Sequence, residues 1–350
     1  MKTIYILLIT ILSASAAQAQ KQYSPPTKPR SVRKIVSDGR HNAFAAFLKW
    51  KGQYWLAFRK GTGHVARDGD LHVLRSKDTR TWTKSTQLDV SGDDRDAQLL
   101  PTKDRLFLYI NSLNNGFDSF VSFTDDGKTW SKPKQIYLPG YILWKPITRG
   151  GVHYAGAHRP GPISRRLSHL VTSTDGVVWK RISTISAGKG ESETSLHFSK
   201  DGQLTAFLRS QIYVGGFILE SKPPYKTWQE RRAGIHLSGH TVYEFDGIIY
   251  LTSRLLAYRP PVDSKLPRSA VAGRKLDQAT MVYTYEGGNL KPYCRLGPLD
   301  GNHDSSYAEV VRDGNDMLIV YHRASHVFAG QFRAKDAADL FLARVPLKKP

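Results

Sequence analysis

The chain has 350 residues, with 51 Lys and Arg against 30 Asp and Glu, a formal charge of +21. Its one cysteine, Cys294, excludes an internal disulfide, so the fold must rest on a hydrophobic core that a chain of this length can build. A field this positive attracts polyanions, nucleic acid inside a cell or acidic glycans outside it.

The first element decides between those two. "MKTIYILLITILSASAAQAQ" places one lysine before an apolar run from Ile4 to Leu12, then small residues and an A-x-A site at Ala17, Gln18 and Ala19. This reads as a signal peptide over 1–19, too short for a spanning helix, with a retained anchor as the alternative. We expect an exported protein, periplasmic or secreted, with acidic glycan as partner, no nucleic acid, no stable membrane insertion and a monomeric state. Residues 20–40 follow as a Pro-rich, basic leader.

From residue 41 onward short strand signals succeed one another, including "QYWLAFR", "RLFLYINS", "SFVSFT", "LTAFLRS", "IIYLTSR" and "MLIVYHR". They are rich in β-branched and aromatic residues, often alternating, and Asp-Gly turns such as "DDGKT", "KDGQL" and "RDGND" separate them. The one short helical candidate is "AKDAADLF", residues 334–341. Cys294, within a strand signal, is expected to be a structural thiol.

A period organises these strands. "SKDTRTW", "FTDDGKTW" and "STDGVVW" share a hydroxyl residue, an aspartate two positions on and a tryptophan, and "SKPPYKTW" ends on a fourth. Trp82, Trp130, Trp179 and Trp228 lie 48, 49 and 49 residues apart. About four strands per period predict a single all-β domain over 41–350, a six-bladed β-propeller of four-stranded antiparallel blades. The units fall at 41–90, 93–139, 140–187, 190–236, 238–297 and 303–347, the fifth enlarged by a Pro-rich basic insertion at 257–277.

The [ST]-x-D-x-x-[TV]-W boxes resemble the Asp-boxes (BNR repeats) of the sialidase superfamily of β-propellers. The resemblance spans nearly the whole chain after the signal, and it implies that Asp78, Asp126 and Asp175 cap turns away from substrate. It also implies a glycosidase in which a tyrosine nucleophile is assisted by a glutamate, with an aspartic acid as general acid and arginines holding the substrate carboxylate. The matching positions are Tyr307 and Glu193, with Asp68 or Asp70 as the acid and Arg59, Arg209 and Arg254 as the clamp. The family's Phe/Tyr-Arg-Ile-Pro motif is missing; "HNAF" stands in its place.

In a propeller the first strand of each unit and the end of the second face the channel mouth. Those stretches supply His41, Asn42, Arg95, Asp96, Trp144, Lys145, Glu191, His240 and Asp304, together with His64, His158, Arg159, His322, Arg323 and His326. Histidines are abundant where the arginine motif is lost, and His41, His64, His240, His322 and His326 suit proton transfer near neutral pH. The His322/His326 spacing is not that of a zinc finger or a helical zinc protease, so neither metal nor another cofactor is expected. Hydrolysis beside a sialic acid or uronate is the first reading. A His/Tyr lyase acting on a uronate glycan and a non-catalytic glycan-binding propeller are the alternatives.

Overall fold

The computed structural model describes residues 23–327 and 336–349. The signal-peptide reading and part of the 334–341 helical expectation lie outside them. Among the described residues there are two 3-10 turns, Ile163–Arg165 and Arg268–Val271, and otherwise strands. No described helix is long and apolar enough to cross a membrane.

Each stretch expected as one unit folds as consecutive antiparallel strands. Residues 93–136, 142–187, 191–232 and 241–296 form separate four-stranded sheets. Residues 41–88 and 303–346 belong to one larger sheet, joined by a single parallel pairing of His41 with Ala338. The leader is not merely a connection: Ser31–Val36 pairs antiparallel with Ala338–Pro346 and supplies the fourth strand of the last unit. The helical expectation at 334–341 also fails where it can be seen. From Ala338 onward the chain is a strand, because Ala338, Leu340 and Leu342 bury against Asp316–Val327 and neighbouring elements.

Hydrophobic cores lie between units. Ala57, Leu71, Val73 and neighbours meet Leu106 and Leu108, while Phe107 and Tyr109 meet Leu143 and Val171. The succession continues to Phe47, Leu56 and Phe58 packed on Leu318, Val320 and Leu340, so the last unit shares a core with the first. First strands of different units also touch: His41–Trp50 contacts both Asp93–Pro101 and His303–Asp313. Cys294 is fully buried, with its thiol pushed up to about 12 by burial, as a structural cysteine would be.

The repeated aspartates do local work. Asp78, Asp126 and Asp175 each accept two backbone N–H bonds from the residues two and three positions ahead, at 2.7–2.9 Å. The tryptophans tie neighbours together: Trp130 Nε1 donates to Ser85 Oγ and Trp228 Nε1 to Ser183 Oγ, both at 3.1 Å across to the preceding unit. These turns explain the period and carry no catalytic geometry.

Candidate functional site

A second repeated feature lies at the opposite ends of the strands. The first strands of five units break register near their start, between Ala43 and Ala46, Arg95 and Gln98, Trp144 and Ile147, Glu191 and Thr194, and Ser306 and Glu309. Such β-bulges bend a strand and re-aim a side chain. In four of them a non-glycine residue is left-handed: Phe44 (φ 54°), Asp96 (53°), Lys145 (43°) and Tyr307 (49°). Each such backbone costs on the order of 1–3 kcal/mol and persists only where packing holds it. In the remaining unit Gly239 (φ 53°) precedes the strand, and a methyl group on it would lie 2.6 Å from the Tyr307 ring.

Tyr307 is the centre on which these units converge. Its hydroxyl donates to Glu193 Oε1 at 3.0 Å, and Arg209 Nη1 donates to the same oxygen at 2.6 Å. Phe44 packs edge-on at 4.8 Å between centroids and Trp144 at 5.8 Å. The Arg254 guanidinium lies 5.6 Å from the ring centre. Burial would raise the Glu193 carboxyl, but Arg209 and His158 hold it well below the usual range. Burial, and then the charge of Glu193, push the Tyr307 phenol far above its ordinary value. At neutral pH a neutral phenol therefore donates to a carboxylate.

Asp304 organises the neighbouring side. Arg254 Nη2 bonds one oxygen at 2.5 Å, while His64 Nδ1 at 2.7 Å and His322 Nε2 at 3.3 Å contact the other. Burial would raise this carboxyl, yet Arg254 and His64 keep it ionised. A carboxylate only accepts, so His64 carries its proton on Nδ1, which makes Nε2 the basic nitrogen. Burial takes His64 down to about 4 and His41 to about 2, leaving both neutral. His41, His64 and Asp304 bring donor atoms within 4.8 Å of one another, a spacing that a metal could bridge. Arg254 on Asp304 and Arg59 beside His41 make the surroundings cationic instead.

The three arginines expected together are differently placed. Arg209 shares Glu193 with Tyr307 and Arg254 lies over its ring, whereas Arg59 is fully buried beside His41. It bonds Asp93 at 2.6 Å and the Ala66 carbonyl, and its guanidinium leaves Gly61 and Gly69 no room for a side chain. Arg95 lies nearer, its guanidinium 4.6 Å over the Phe44 ring that packs on Tyr307.

The two aspartates expected as the acid lie apart from Tyr307. Asp68 is exposed, bonded to Arg40 and Thr62, and Asp70 engages His72; neither joins the Tyr307 group. Asp96, one residue beyond Arg95, is buried. Burial, reinforced by Glu193 and Asp93 against the pull of Arg95, raises its carboxyl to about 6. That shift favours the acid form at mildly acidic pH.

The remaining candidates divide. His158 is buried near Glu193 and Arg209 at about 4, first through burial, and its Nδ1 has no partner. His240, also lowered to about 4 by burial, binds the Phe207 carbonyl at 2.7 Å. Asn42 bonds Asp38 and the Ala338 carbonyl, holding the first and last units together. His326 is exposed beside Asp336, apart from the cluster. Lys145 pairs with Glu309, and burial takes it down to about 7. Phe44 was missed by chemistry-led reading; its place at the same offset in the first strand as Asp96 and Lys145 is the signal that finds it.

No protein-family model matches the chain, and no curated protein does. Solved structures do. Phage phi92 endosialidase superposes at a TM-score of 0.60 and 10% identity, over 91% of this chain and 69% of that one. The sialidase of Trypanosoma rangeli, solved with the inhibitor DANA, superposes at 0.66 and 13% identity, and in its complex with sialic acid at 0.60 and 12%. These matches cover 91–92% of this chain but only 57–58% of the Trypanosoma one, so it spans little over half of that protein's length. The chain has a sialidase-like all-β fold of four-stranded antiparallel sheets.

Proposed function

We propose that the protein is an exported glycoside hydrolase, built as a closed six-bladed propeller with Asp-box turns, that cleaves the bond beside an acidic sugar. The observation that carries this reading is the Tyr307 hydroxyl bonded to ionised Glu193 inside a ring of Arg95, Arg209 and Arg254. The arginines hold the sugar's carboxylate. Tyr307 Oη attacks the anomeric carbon as its proton passes to Glu193, and protonated Asp96 gives its proton to the departing glycosidic oxygen. Water then attacks the glycosyl–tyrosine bond, with the Asp96 carboxylate taking the water's proton and Glu193 returning one to Tyr307. A phenol suits this role because a carboxylate nucleophile would be repelled by the substrate's own anion.

The bonding of His64 to Asp304 favours one second reading, elimination from a uronate. Arg95 and Arg254 would neutralise the carboxylate, His64 Nε2 would take the C5 proton and Tyr307 would protonate the leaving oxygen. Incubation with sialosides and with oligouronates, followed by mass spectrometry and ultraviolet absorbance, separates the two. Hydrolysis adds water and leaves no double bond, whereas elimination gives an absorbing unsaturated uronate. No product from either class, under conditions where the protein is folded, would reject both.

A further inference from the structure

The 257–277 insertion is anchored to the fourth unit. Val214 N donates to Leu266 O at 3.0 Å, Gly215 N to Ser264 O at 2.8 Å and Arg268 N to Ile212 O at 2.8 Å. Tyr213 pairs with Pro267, and Val214, Tyr258 and Val271 make a small core of their own. The docking point is three to six residues beyond Arg209, which shares Glu193 with Tyr307.

It delivers Arg268. That side chain donates from Nε to the Tyr213 carbonyl at 3.2 Å and sets Nη2 against the His236 ring at 3.2–3.3 Å. Among the described residues no carboxylate lies within ion-pair distance of it. Arg166, at the end of the loop before Leu167–Ser173, is in a similar state: Nε bonds the Gly161 carbonyl at 2.9 Å, and no carboxylate among the described residues pairs with it. Two residues on, Ser168 Oγ touches Thr194 Oγ1 at 2.9 Å, next to Glu193. Arg268 is thus held on the segment just past Arg209, and Arg166 lies two residues before the Ser168 that touches Thr194, from two different units. The acids that face this group are Glu193 and, toward Arg166, Glu191. Glu193 is already engaged by Arg209 and Tyr307, and Glu191 bonds Ser186 and the Lys189 N–H. Burial, and after it the charge of Arg209, lower both guanidiniums, Arg268 to about 10. Partly buried arginines without a protein counter-ion are costly unless an external anion meets them. His158, buried with an unpartnered Nδ1, belongs to the same neighbourhood.

We propose that Arg166 and Arg268 form a second anion subsite beside the Tyr307 centre, so that the substrate is a glycan with acidic groups on adjacent sugars. This rests on the reading of the Tyr307 centre as a site for an acidic sugar. The second group is recognised as an anion, whether it belongs to a sialic acid or a uronate, and each source has its own arm in the test.

Titration calorimetry on the Tyr307→Phe protein, which avoids turnover, would compare N-acetylneuraminic acid with its α2,8-linked dimer and galacturonate with its α1,4-linked dimer. Sialyllactose, an acidic sugar next to a neutral one, is the control. At least one dimer is expected to bind tenfold or more tightly than its monomer, while sialyllactose gains less than threefold over the monomer. Adding Arg166→Gln and Arg268→Gln should erase the dimer's gain and leave monomer affinity within twofold. If Arg268→Gln lowers the melting temperature, Arg166→Gln alone, in a separate loop, must still reduce the gain, and Arg268→Lys must retain part of it. Monomers that bind while no dimer binds more tightly would overturn the subsite alone, as would a gain that survives both substitutions. Binding of no acidic sugar at all would overturn the subsite together with the reading beneath it.

Discussion

Tyr307 and Glu193, 114 residues apart, share a 3.0 Å hydrogen bond at the convergence of the first strands. Phenol and carboxylate come from the sixth and fourth units, and Arg209 fixes the carboxylate by bonding the same oxygen. Tyr307→Phe should leave fold and melting temperature nearly unchanged and lower kcat by about 10³-fold or more, the scale for losing a nucleophile. Glu193→Gln should lower kcat comparably. Product formation at the wild-type rate by either variant would remove Tyr307 from the chemistry.

Much of the fold was legible in the sequence because turn chemistry and the tryptophan period are local signals. Asp126 caps its turn through neighbours two and three residues away, and any reader of "FTDDGKTW" can see that. Ser31–Val36 was not legible as part of the last unit, since its partner lies some 300 residues away and nothing local encodes that pairing. The 334–341 segment misled for a related reason: short alanine-rich propensity loses to burial of alternate residues against a waiting sheet edge. For the site, the sequence pattern indicates the strand starts, but it does not say which arginine lies beside Tyr307. Whether Arg59 or Arg95 faces Tyr307 depends on a bulge at Asp96 and on two glycines that let Arg59 fold inward.

Asp96 supplies a pH-dependent test. Its carboxyl is raised from 3.8 to about 6 in the folded protein, so the folded state binds its proton more tightly than the unfolded state does. The sign follows: this group costs no stability below about pH 4, and the cost grows as pH rises and is complete above about 6. By linkage it is on the order of 3 kcal/mol at pH 7. Asp96→Asn should therefore raise the melting temperature at pH 7 and leave it unchanged near pH 4, while abolishing activity. In the wild type, kcat should fall as pH rises through about 6 because the proton donor is lost. A pH-independent stability difference between the two proteins would refute the raised carboxyl.

Arg59 and Arg95 should part company on mutation. Arg59→Met strands the buried Asp93 carboxylate, and breaking a buried pair by removing one partner costs about 3–5 kcal/mol. Denaturant unfolding should show that loss. Arg95 also contacts Asp93 and Asp96 but lies over Phe44 at the site. Arg95→Gln should raise KM for an acidic substrate about tenfold or more, with a smaller loss of stability. The reverse pattern, with Arg59→Met the more stable and Arg95→Gln unchanged in KM, would return Arg59 to the clamp.

Gly239 tests whether the position of Tyr307 matters as much as its hydroxyl. The glycine is left-handed (φ 53°), and its missing side chain is the space taken by the Tyr307 ring: an added Cβ would meet Cδ2 at 2.6 Å and Cγ at 2.8 Å. On the other face Phe44 packs edge-on, and Trp144 closes a third side, so the ring cannot retreat without disturbing both. Gly239→Ala combines backbone strain with overpacking, together about 2–4 kcal/mol. Part of that is relieved by tilting the ring, which lengthens the 3.0 Å bond to Glu193. An ångström of misplacement can cost on the order of 10²-fold in rate. The variant should therefore lose about 10²-fold in kcat while still binding an acidic monosaccharide, because Arg95 and Arg254 are untouched. Calorimetry beside a kinetic assay reads both quantities. A variant that keeps wild-type kcat would mean that the ring's position does not limit the reaction.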